Sequence, residues 1–289
     1  MAHRKNTECD LRPDSTGLQE SVGSTVLTFI LICMALGALA GLLAGLLGIG
    51  GGLVIVPLLT VLLPLYGIVP AEHVMLVAVA TSLATIVITC SSSTRAHHRL
   101  HNIPWRLAPA VLAGAAVGAL AVGSFAHLVN GEFLRLFFAG AVALLGLRMI
   151  FSQMASGWRP LPPKPVLALI SAALASIASL LGIGGGALYV PTLNFFSVDM
   201  RRAIGLAAVS GLVIAIFAVI GYVSSGLAYY DVADGFLGFV YLPAVAAVVS
   251  TSMLAAPLGA KLTQLLPVLR IKRIFGLFLL LVSAKMMFS

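Results

Sequence analysis

Residues 46–57 read LLGIGGGLVIVP and residues 180–191 read LLGIGGGALYVP, so one glycine motif occurs twice, 134 positions apart. The word GIGGG lies inside a long apolar run both times, and a proline stands five positions after its last glycine. Consecutive glycines suit a backbone that must unwind, adopt positive φ or approach another group closely. Inside a membrane, unwound backbone is tolerated only where protein buries it or where it lines a wet cavity. The repeat therefore marks where a functional site is expected.

The composition is that of a membrane protein. Of the 289 residues, 60% are hydrophobic and only 9% are charged, whereas soluble domains are about 25% charged. Several apolar runs reach the roughly 20 residues needed to cross a bilayer. The 17 Lys and Arg residues lie mostly between these runs, which is typical of topology determinants and not of a nucleic-acid-binding patch. The three cysteines lie far apart with no CxxC spacing, so neither a disulfide framework nor a zinc site is expected.

The apolar runs divide the chain into two similar halves. LAPAV at 107–111 matches YLPAV at 241–245, again 134 positions apart, and a proline-rich stretch joins the halves. The predicted domain plan is a polar tail at 1–23, a first transmembrane repeat at 24–151, a linker at 152–165 and a second repeat at 166–289. Periodicity and breakers place the apolar segments at about 24–47, 51–64, 74–94, 107–128, 133–151, 166–181, 187–197, 203–224, 236–257 and 273–288.

Some of these segments are too short to cross a membrane. A helix over 187–197 would cover about 16 Å, against a hydrocarbon core of about 30 Å, and 166–181 is marginal. We therefore interpret each GIGGG as the tip of a hairpin of two part-helices that enters the membrane and turns back. The predicted fold is an all-α integral membrane protein of two inverted repeats, each a glycine-tipped broken-helix hairpin plus three transmembrane helices.

Charge predicts the inverted orientation. Three crossings per half give the two halves opposite directions, so one side receives the loops at 95–106, 152–165, 198–202 and 258–273. These loops carry eleven Lys and Arg residues, whereas the loops at 65–73, 129–133 and 225–235 carry none and hold four acidic residues. The positive-inside rule then places the basic loops in the cytoplasm and both termini outside. A parallel repeat would put the loop at 258–273 outside, which the same rule disfavours.

Inverted repeats with broken helices are typical of transporters whose substrate site lies near the midplane. Part-helices that start at the glycines would present free N–H groups and positive dipole ends there, which is the chemistry of an anion site. The predicted substrate-binding glycines are Gly50, Gly51, Gly52, Gly184, Gly185 and Gly186. The other explanation is that small residues merely allow close helix packing, and two matched copies favour the site.

Hydroxyl groups on the helices after the hairpins are further candidates. These are Thr81, Ser82 and Ser210, of which Ser82 and Ser210 match between the halves. Ser179, Tyr189 and Asn194 are nearer the second tip. Because serine and threonine in membrane helices often bond to backbone or to a neighbouring helix, a structural role stays open for each.

The charged residues argue against several other functions. All nine Asp and Glu residues lie in the tail or at segment ends, which disfavours a carboxylate relay for protons or sodium. No nucleophile–base pair, nucleotide loop or metal-ligand spacing is present, so we expect no enzyme activity, no catalytic residues, no cofactor and no metal site. The histidine- and arginine-rich loop at 95–101 is interpreted as a topology anchor, with an anion-concentrating vestibule as the alternative.

Four stretches resemble the TauE/SafE family of sulfite exporters: GLLGIGGGLVIVPLL (45–59), AVATSLATIVIT (78–89), RAHHRLHNIPW (95–105) and SLLGIGGGALYVPTL (179–193). The resemblance covers residues 24–288. It implies a multi-pass protein of the inner (cytoplasmic) membrane that moves a small sulfur anion, such as sulfite or the organosulfonate sulfoacetate.

Together with the residue patterns, this resemblance predicts a secondary transporter that exports its anion by alternating access. With no ATP-binding motif, the driving force would be a gradient or the membrane potential. The alternative is a non-transporting membrane scaffold or assembly subunit. The expected partners are the anion and the lipid bilayer, without nucleic acid, and a homo-oligomer is left open.

Overall fold

A computed structural model of the protein describes residues 15–47, 51–151, 159–262 and 268–288. These residues form ten α-helices and a two-stranded sheet, which confirms an all-α membrane protein. The first five helices are α1 (Ser15–Leu47), α2 (Gly52–Leu65), α3 (Val74–Arg99), α4 (Ala108–Phe125) and α5 (Gly131–Phe151). The other elements are α6 (Lys164–Leu180), α7 (Gly186–Phe195), α8 (Met200–Gly226), β1 (Phe236–Leu237), β2 (Val240–Tyr241), α9 (Leu242–Leu262) and α10 (Val268–Phe288).

The first helix begins earlier than predicted. The expected segment started at residue 24, but α1 starts at Ser15. Pro13 is the last proline before this point, and residues 15–23 contain none, so nothing in the local sequence stops the helix from extending. Residues 1–14 of the predicted tail lie outside the described residues.

The predicted segment at 236–257 is only partly helical. Residues Phe236–Tyr241 form an antiparallel hairpin in which Phe236 pairs with Tyr241. Gly235 and Gly238 have φ of 81° and 57°, conformations that glycine adopts easily and that end a helix. The helix α9 follows at Leu242, with Pro243 in its first turn, where proline is well tolerated.

Four helical spans of the described residues are long and apolar enough to cross a membrane. They are Val74–Arg99 (α3), Ala108–Leu128 (α4 with the 3₁₀ turn that follows it), Gly131–Phe151 (α5) and Met200–Gly226 (α8). By contrast, α7 has 10 residues and α2 has 14, so they cover about 15 Å and 21 Å at 1.5 Å per residue. Both fall short of a 30 Å hydrocarbon core. These two helices therefore have the lengths expected for the returning arms of hairpins.

Each helix of the first half has a counterpart five places later in the second half, such as α1 and α6. Exchanging every helix for its counterpart leaves the pattern of packed pairs unchanged. α1 packs along α9 as α6 packs along α4, and α2 lies on α3 as α7 lies on α8. α3 packs against its own counterpart α8, and α5 against its counterpart α10. The interior is built around α3, in which every residue from Val74 to Leu83 is buried.

The self-paired helices run antiparallel. Asn102, just after α3, lies against Gly205 near the start of α8, whereas His73, just before α3, bonds through Nδ1 to the hydroxyl of Tyr230 after α8, at 3.0 Å. In the other pair, Ser283 of α10 donates to the carbonyl oxygen of Ala139 in α5 at 2.8 Å. Near the opposite ends of the same two helices, Gly276 of α10 lies against Gly146 of α5.

Small residues let two further pairs approach closely. A Cβ built on Gly114 or Gly118 of α4 would overlap the carbonyl oxygen of Ala168 or Ala172 in α6. Gly37 and Gly41 of α1 meet α9 in the same way. Both pairs use the four-residue glycine spacing that brings membrane helices into backbone contact.

The acidic and basic loops lie at opposite ends of the bundle. At one end, the carbonyl oxygen of Glu72 lies 2.7 Å from the position that a Cβ on Gly131 would take. The His73–Tyr230 bond brings the third acidic loop to the same end. At the other end, the Arg159 N–H donates to the carbonyl oxygen of Phe195 at 3.3 Å, beside the start of α8. Side chains of residues 259–272 lie outside the description.

Candidate functional site

The second glycine motif ends one helix and begins the next. After α6, the N–H of Ile183 donates to Ala178 O at 3.0 Å and the N–H of Gly182 donates to Ser179 O at 3.3 Å. With Gly182 at φ 61°, these bonds form the Schellman arrangement that closes helices at a glycine. The chain then turns, and α7 begins at Gly186. The predicted break at this motif is therefore confirmed.

The first motif meets the second in the interior. A Cβ built on Gly52, the first residue of α2, would overlap the carbonyl oxygen of Gly182 and lie 3.0 Å from the Cα of Ile183. Ser82 of α3 donates to the same Gly182 oxygen at 2.8 Å. All four residues are buried. We call the region formed by Gly51–Gly52 and Gly182–Gly186, which meet through this contact of Gly52, the glycine junction. Gly50, which the sequence also predicts as a site residue, lies outside the described residues.

Two helix N-termini begin at the glycine junction. Gly51 and Gly185 are the N-cap residues of α2 and α7, and their carbonyl oxygens accept from Ile55 at 3.1 Å and from Tyr189 at 2.8 Å. Neither cap has a side-chain hydrogen bond, since glycine offers no acceptor. The first N–H groups of each helix thus lack the usual capping oxygen. Each end also carries the positive end of its helix dipole, and helix ends of this kind bind anions in other proteins.

Close packing accounts for part of the glycine pattern. Gly52 touches the backbone of the second motif, and a Cβ on Gly185 would lie 3.0 Å from Ala207 O and from Gly211 N of α8. A Cβ on Gly51 would be 3.1 Å from the Ala40 side chain, a tight contact that a small shift could relieve. Backbone contact and uncapped N–H groups thus occur at the same place, so the two explanations of the motif are not exclusive.

The three predicted hydroxyls are fully buried but have different partners. Ser82 bonds across the repeats to Gly182 O, whereas Ser210 donates to Leu206 O in its own helix at 2.9 Å. Thr81 accepts from the N–H of Tyr241 at 3.0 Å, so its own proton is not used in that bond. Ser82 and Ser210 therefore act as donors in this conformation, whereas Thr81 acts as an acceptor.

The other hydroxyls near the second tip also differ. Ser179 Oγ is buried and has no hydrogen-bond partner among the described residues. The hydroxyl of Tyr189 donates to Ser171 O at 2.7 Å, and Ser171 Oγ donates to Val111 O of α4 at 2.6 Å. This network joins α7, α6 and α4. No local sequence pattern indicates a role for Ser171, since its partners are 18 and 60 positions away.

Asn194 and the histidine-rich loop lie away from the junction. Asn194 Nδ2 contacts Met200 Sδ at 3.3 Å, near the end of the bundle. His98 stacks edge-on against Trp105 with ring centroids 5.7 Å apart, so the histidine-rich loop packs locally at the basic end. Among the described residues, no group of three His, Cys, Asp or Glu side chains could hold a metal ion.

Comparison with known proteins decides the family. The family model described as sulfite exporter TauE/SafE matches residues 33–286, which is most of the chain. The chain belongs to the TauE/SafE sulfite exporter family. It is a membrane transporter and a multi-pass protein of the cell membrane, consistent with the inner membrane that the sequence predicts.

Relatives of this TauE/SafE member carry matching names. A probable membrane transporter protein of Haemophilus influenzae is 39% identical over 264 residues, which are 90% of this chain and 98% of that relative. A probable membrane transporter protein of Bacillus subtilis is 24% identical over 283 residues, 89% and 97% of the two chains. One from Methanocaldococcus jannaschii is 23% identical over 238 residues, 81% and 86% of the two chains. No solved structure matches the chain.

Proposed function

We propose that this protein is a secondary transporter that exports a small oxyanion, sulfite or an organosulfonate such as sulfoacetate, through the glycine junction. The observation that carries the proposal is the meeting of the two motifs in the interior. Gly52 touches Gly182 and Ile183, so two uncapped helix N-termini converge on one buried place. A pair of positive dipole ends at one point would attract an anion and repel a cation.

The directions of the helices support an inverted repeat. Counterparts α3 and α8 are antiparallel, and so are α5 and α10, as an axis in the membrane plane requires. The acidic and basic loops lie at opposite ends, which agrees with basic loops in the cytoplasm. Alternating access then takes the form of one repeat rocking against the other around the glycine junction.

The anion is held mainly by backbone. Its donors are the N–H groups at Gly50–Gly52 and Gly184–Gly186, and Thr81 adds a hydroxyl proton. Ser82 and Ser210 line the same site. They reach the anion only after rotating away from Gly182 O and Leu206 O, so each would exchange a carbonyl acceptor for the substrate. A charged acceptor forms the stronger bond, which favours that exchange.

The membrane potential supplies the driving force. The carboxylates whose side chains the structure describes are exposed, at loop positions and helix ends, so none of these provides a coupling site in the core. With an inside-negative potential, outward movement of an anion is favoured by about 2.3 kcal/mol per charge per 100 mV. Uniport is therefore sufficient for export.

Flux through purified protein in liposomes tests the proposal. Sulfite and sulfoacetate flux would be measured at imposed potentials, with protein-free vesicles as the control. We expect outward anion flux that rises with an inside-negative potential. Flux that stays unchanged on depolarisation would refute uniport. No flux of either anion from folded protein would favour the scaffold alternative, in which the glycines only pack.

A further inference from the structure

A lateral cavity of 760 Å³ lies between α1, α2, α5 and α10, beside the start of α3. Its wall is mainly apolar, and four charged side chains stand among its lining residues: Glu72, Glu132, Arg135 and Lys285. These belong to the acidic-loop end of the bundle. The cavity is separate from the glycine junction, because none of the junction residues lines it.

The apolar wall has the length of one membrane leaflet. Along α2 the cavity is lined by Val54, Pro57, Leu58, Val61 and Pro64, whose spacing of three or four residues places them on one helical face. Ten residues separate the first from the last, a distance of about 15 Å. This is half of a hydrocarbon core of about 30 Å, so the wall runs from the acidic end towards the membrane middle.

Hydrophobic side chains of the wall are open to the surroundings. Leu39 is 47% exposed, Val61 is 41% exposed and Phe278 is 39% exposed. Side chains this exposed on three neighbouring helices form an apolar surface that lipid chains can cover. The occupant must therefore present hydrocarbon along most of its length.

We call the four charged side chains the rim of the cavity. Its two cations, Arg135 and Lys285, lie at nearly the same level along the bundle axis. α5 and α10 are antiparallel, and Ser283 bonds to Ala139. Lys285 is about 3 Å beyond Ser283, and Arg135 is about 6 Å from Ala139 in the same direction, so their levels differ by about 3 Å. Arg135 Nε is buried and has no hydrogen-bond partner among the described residues. This charged donor is therefore available to an anionic group in the cavity.

The two carboxylates complete a rim of balanced charge. Glu132 is one turn before Arg135 on α5, and the backbone of Glu72 lies against Gly131. A head group that fits this rim needs an anionic part for Arg135 and Lys285 and a cationic part for the two glutamates. A phosphate bound to a primary ammonium has both parts, and the ammonium can donate hydrogen bonds to carboxylates.

We propose that this cavity is a binding site for one phosphatidylethanolamine molecule of the leaflet at the acidic-loop end. The phosphate accepts from Arg135 and Lys285, the ammonium donates to Glu72 and Glu132, and an acyl chain lies along α2. A phosphatidylglycerol head group would face the two carboxylates with no cation of its own. A phosphatidylcholine ammonium has no proton to donate.

Native mass spectrometry of the purified, delipidated protein tests the site. The protein would be titrated with phosphatidylethanolamine, phosphatidylcholine and phosphatidylglycerol of matched chains. We expect one phosphatidylethanolamine per chain, bound in preference to the other two. Arg135→Gln and Lys285→Gln should each weaken it by about tenfold or more, since each removes a charged hydrogen bond. The double variant Glu72→Gln with Glu132→Gln should shift the preference to phosphatidylglycerol.

Arg148→Gln is the matched control. Arg148 lies near the end of α5, which is the counterpart of α10, and lines a different cavity of 310 Å³ beside α7. This variant should retain phosphatidylethanolamine as the unmodified protein does. Equal binding of the three lipids, or equal loss in Arg148→Gln and Arg135→Gln, would overturn the proposal. Thermal unfolding of each variant establishes that it is folded before its lipid is counted.

Discussion

Replacing Ser82 by alanine should destabilise the protein far more than the same change at Ser210. Both side chains are fully buried, and both hydroxyls donate to a carbonyl oxygen. The bond of Ser82 runs 100 positions along the chain, from α3 to the second glycine motif. The bond of Ser210 stays within its own helix, four positions away. The pair therefore isolates the contact that joins the two repeats.

The loss of stability in each variant depends on whether the carbonyl oxygen keeps another hydrogen bond. Within the described part of the chain, Ser82 is the donor to Gly182 O, so Ser82→Ala leaves a buried acceptor unsatisfied, at a cost of about 1–3 kcal/mol. Leu206 O, in contrast, keeps the helical N–H of Ser210 after Ser210→Ala. A serine that bonds back to its own helix adds little stability, so the expected cost is at the low end of a hydrogen bond's net contribution, about 0.5 kcal/mol.

Thermal unfolding of the purified variants in one detergent measures the difference. A cost of 1 kcal/mol lowers Tm by about 2–4 °C in proteins of 150–250 residues, so Ser82→Ala should unfold several degrees below Ser210→Ala. Anion flux in liposomes should fall in Ser82→Ala as well, because Gly182 is no longer held against α3. Equal Tm values for the two variants would refute the cross-repeat bond.

Three other predictions test the surrounding structure. Tyr189→Phe should lower the stability by about 1 kcal/mol in the same assay, because it removes a 2.7 Å bond to Ser171 O in the interior; no shift would contradict the network that joins α7 to α6. Thr251→Val removes a 2.7 Å bond from α9 to Met34 O of α1 and should cost about 1 kcal/mol, and an unchanged Tm would argue against that contact. In a cysteine-free background, Asp231→Cys should react with a membrane-impermeant maleimide from outside the cell and Arg202→Cys only after the membrane is opened. Labelling of both from the same side would contradict the proposed topology.

Local signals predicted most of the helices. Apolar length and breakers decide where a membrane helix can lie, and both are read from neighbouring residues. The end of α6 is a clear case, because Gly182 supplies the positive φ that closes the helix. The same reasoning explains why the segment at 187–197, which contains most of α7, is predicted to be too short to cross.

The predicted starts of α9 and α1 are wrong because the prediction followed hydrophobicity, which is stronger there than the local signals for a turn or for helix continuation. Residues 236–241 are as apolar as the helix that follows them, and only the glycines at 235 and 238 indicate a hairpin. The predicted first segment starts at residue 24, where the apolar run begins. Helix formation depends also on the absence of breakers, and polar residues from Ser15 onwards can continue the helix into water.

The partners of the site residues could not be predicted from the sequence. Ser82 and Ser210 occupy matching positions, yet one bonds across the repeats and the other to its own helix. Which acceptor a buried hydroxyl finds depends on packing between residues about 100 positions apart, and no local pattern records it. The lipid-facing cavity has the same origin, since its wall combines residues from five helices.

In the proposed mechanism the anion crosses where Gly52 meets Gly182, and one comparison of two variants tests this most directly. Gly52→Ala places a Cβ against the Gly182 oxygen, whereas a Cβ on Gly140 of α5 meets nothing within 4 Å. Both variants would be reconstituted at equal amounts, after a check that each elutes as folded protein, and sulfite efflux would be followed at an imposed inside-negative potential. We predict that Gly140→Ala exports sulfite at the rate of the unmodified protein and that Gly52→Ala loses most of the flux. Folded Gly52→Ala that exports sulfite at the unmodified rate would contradict the claim.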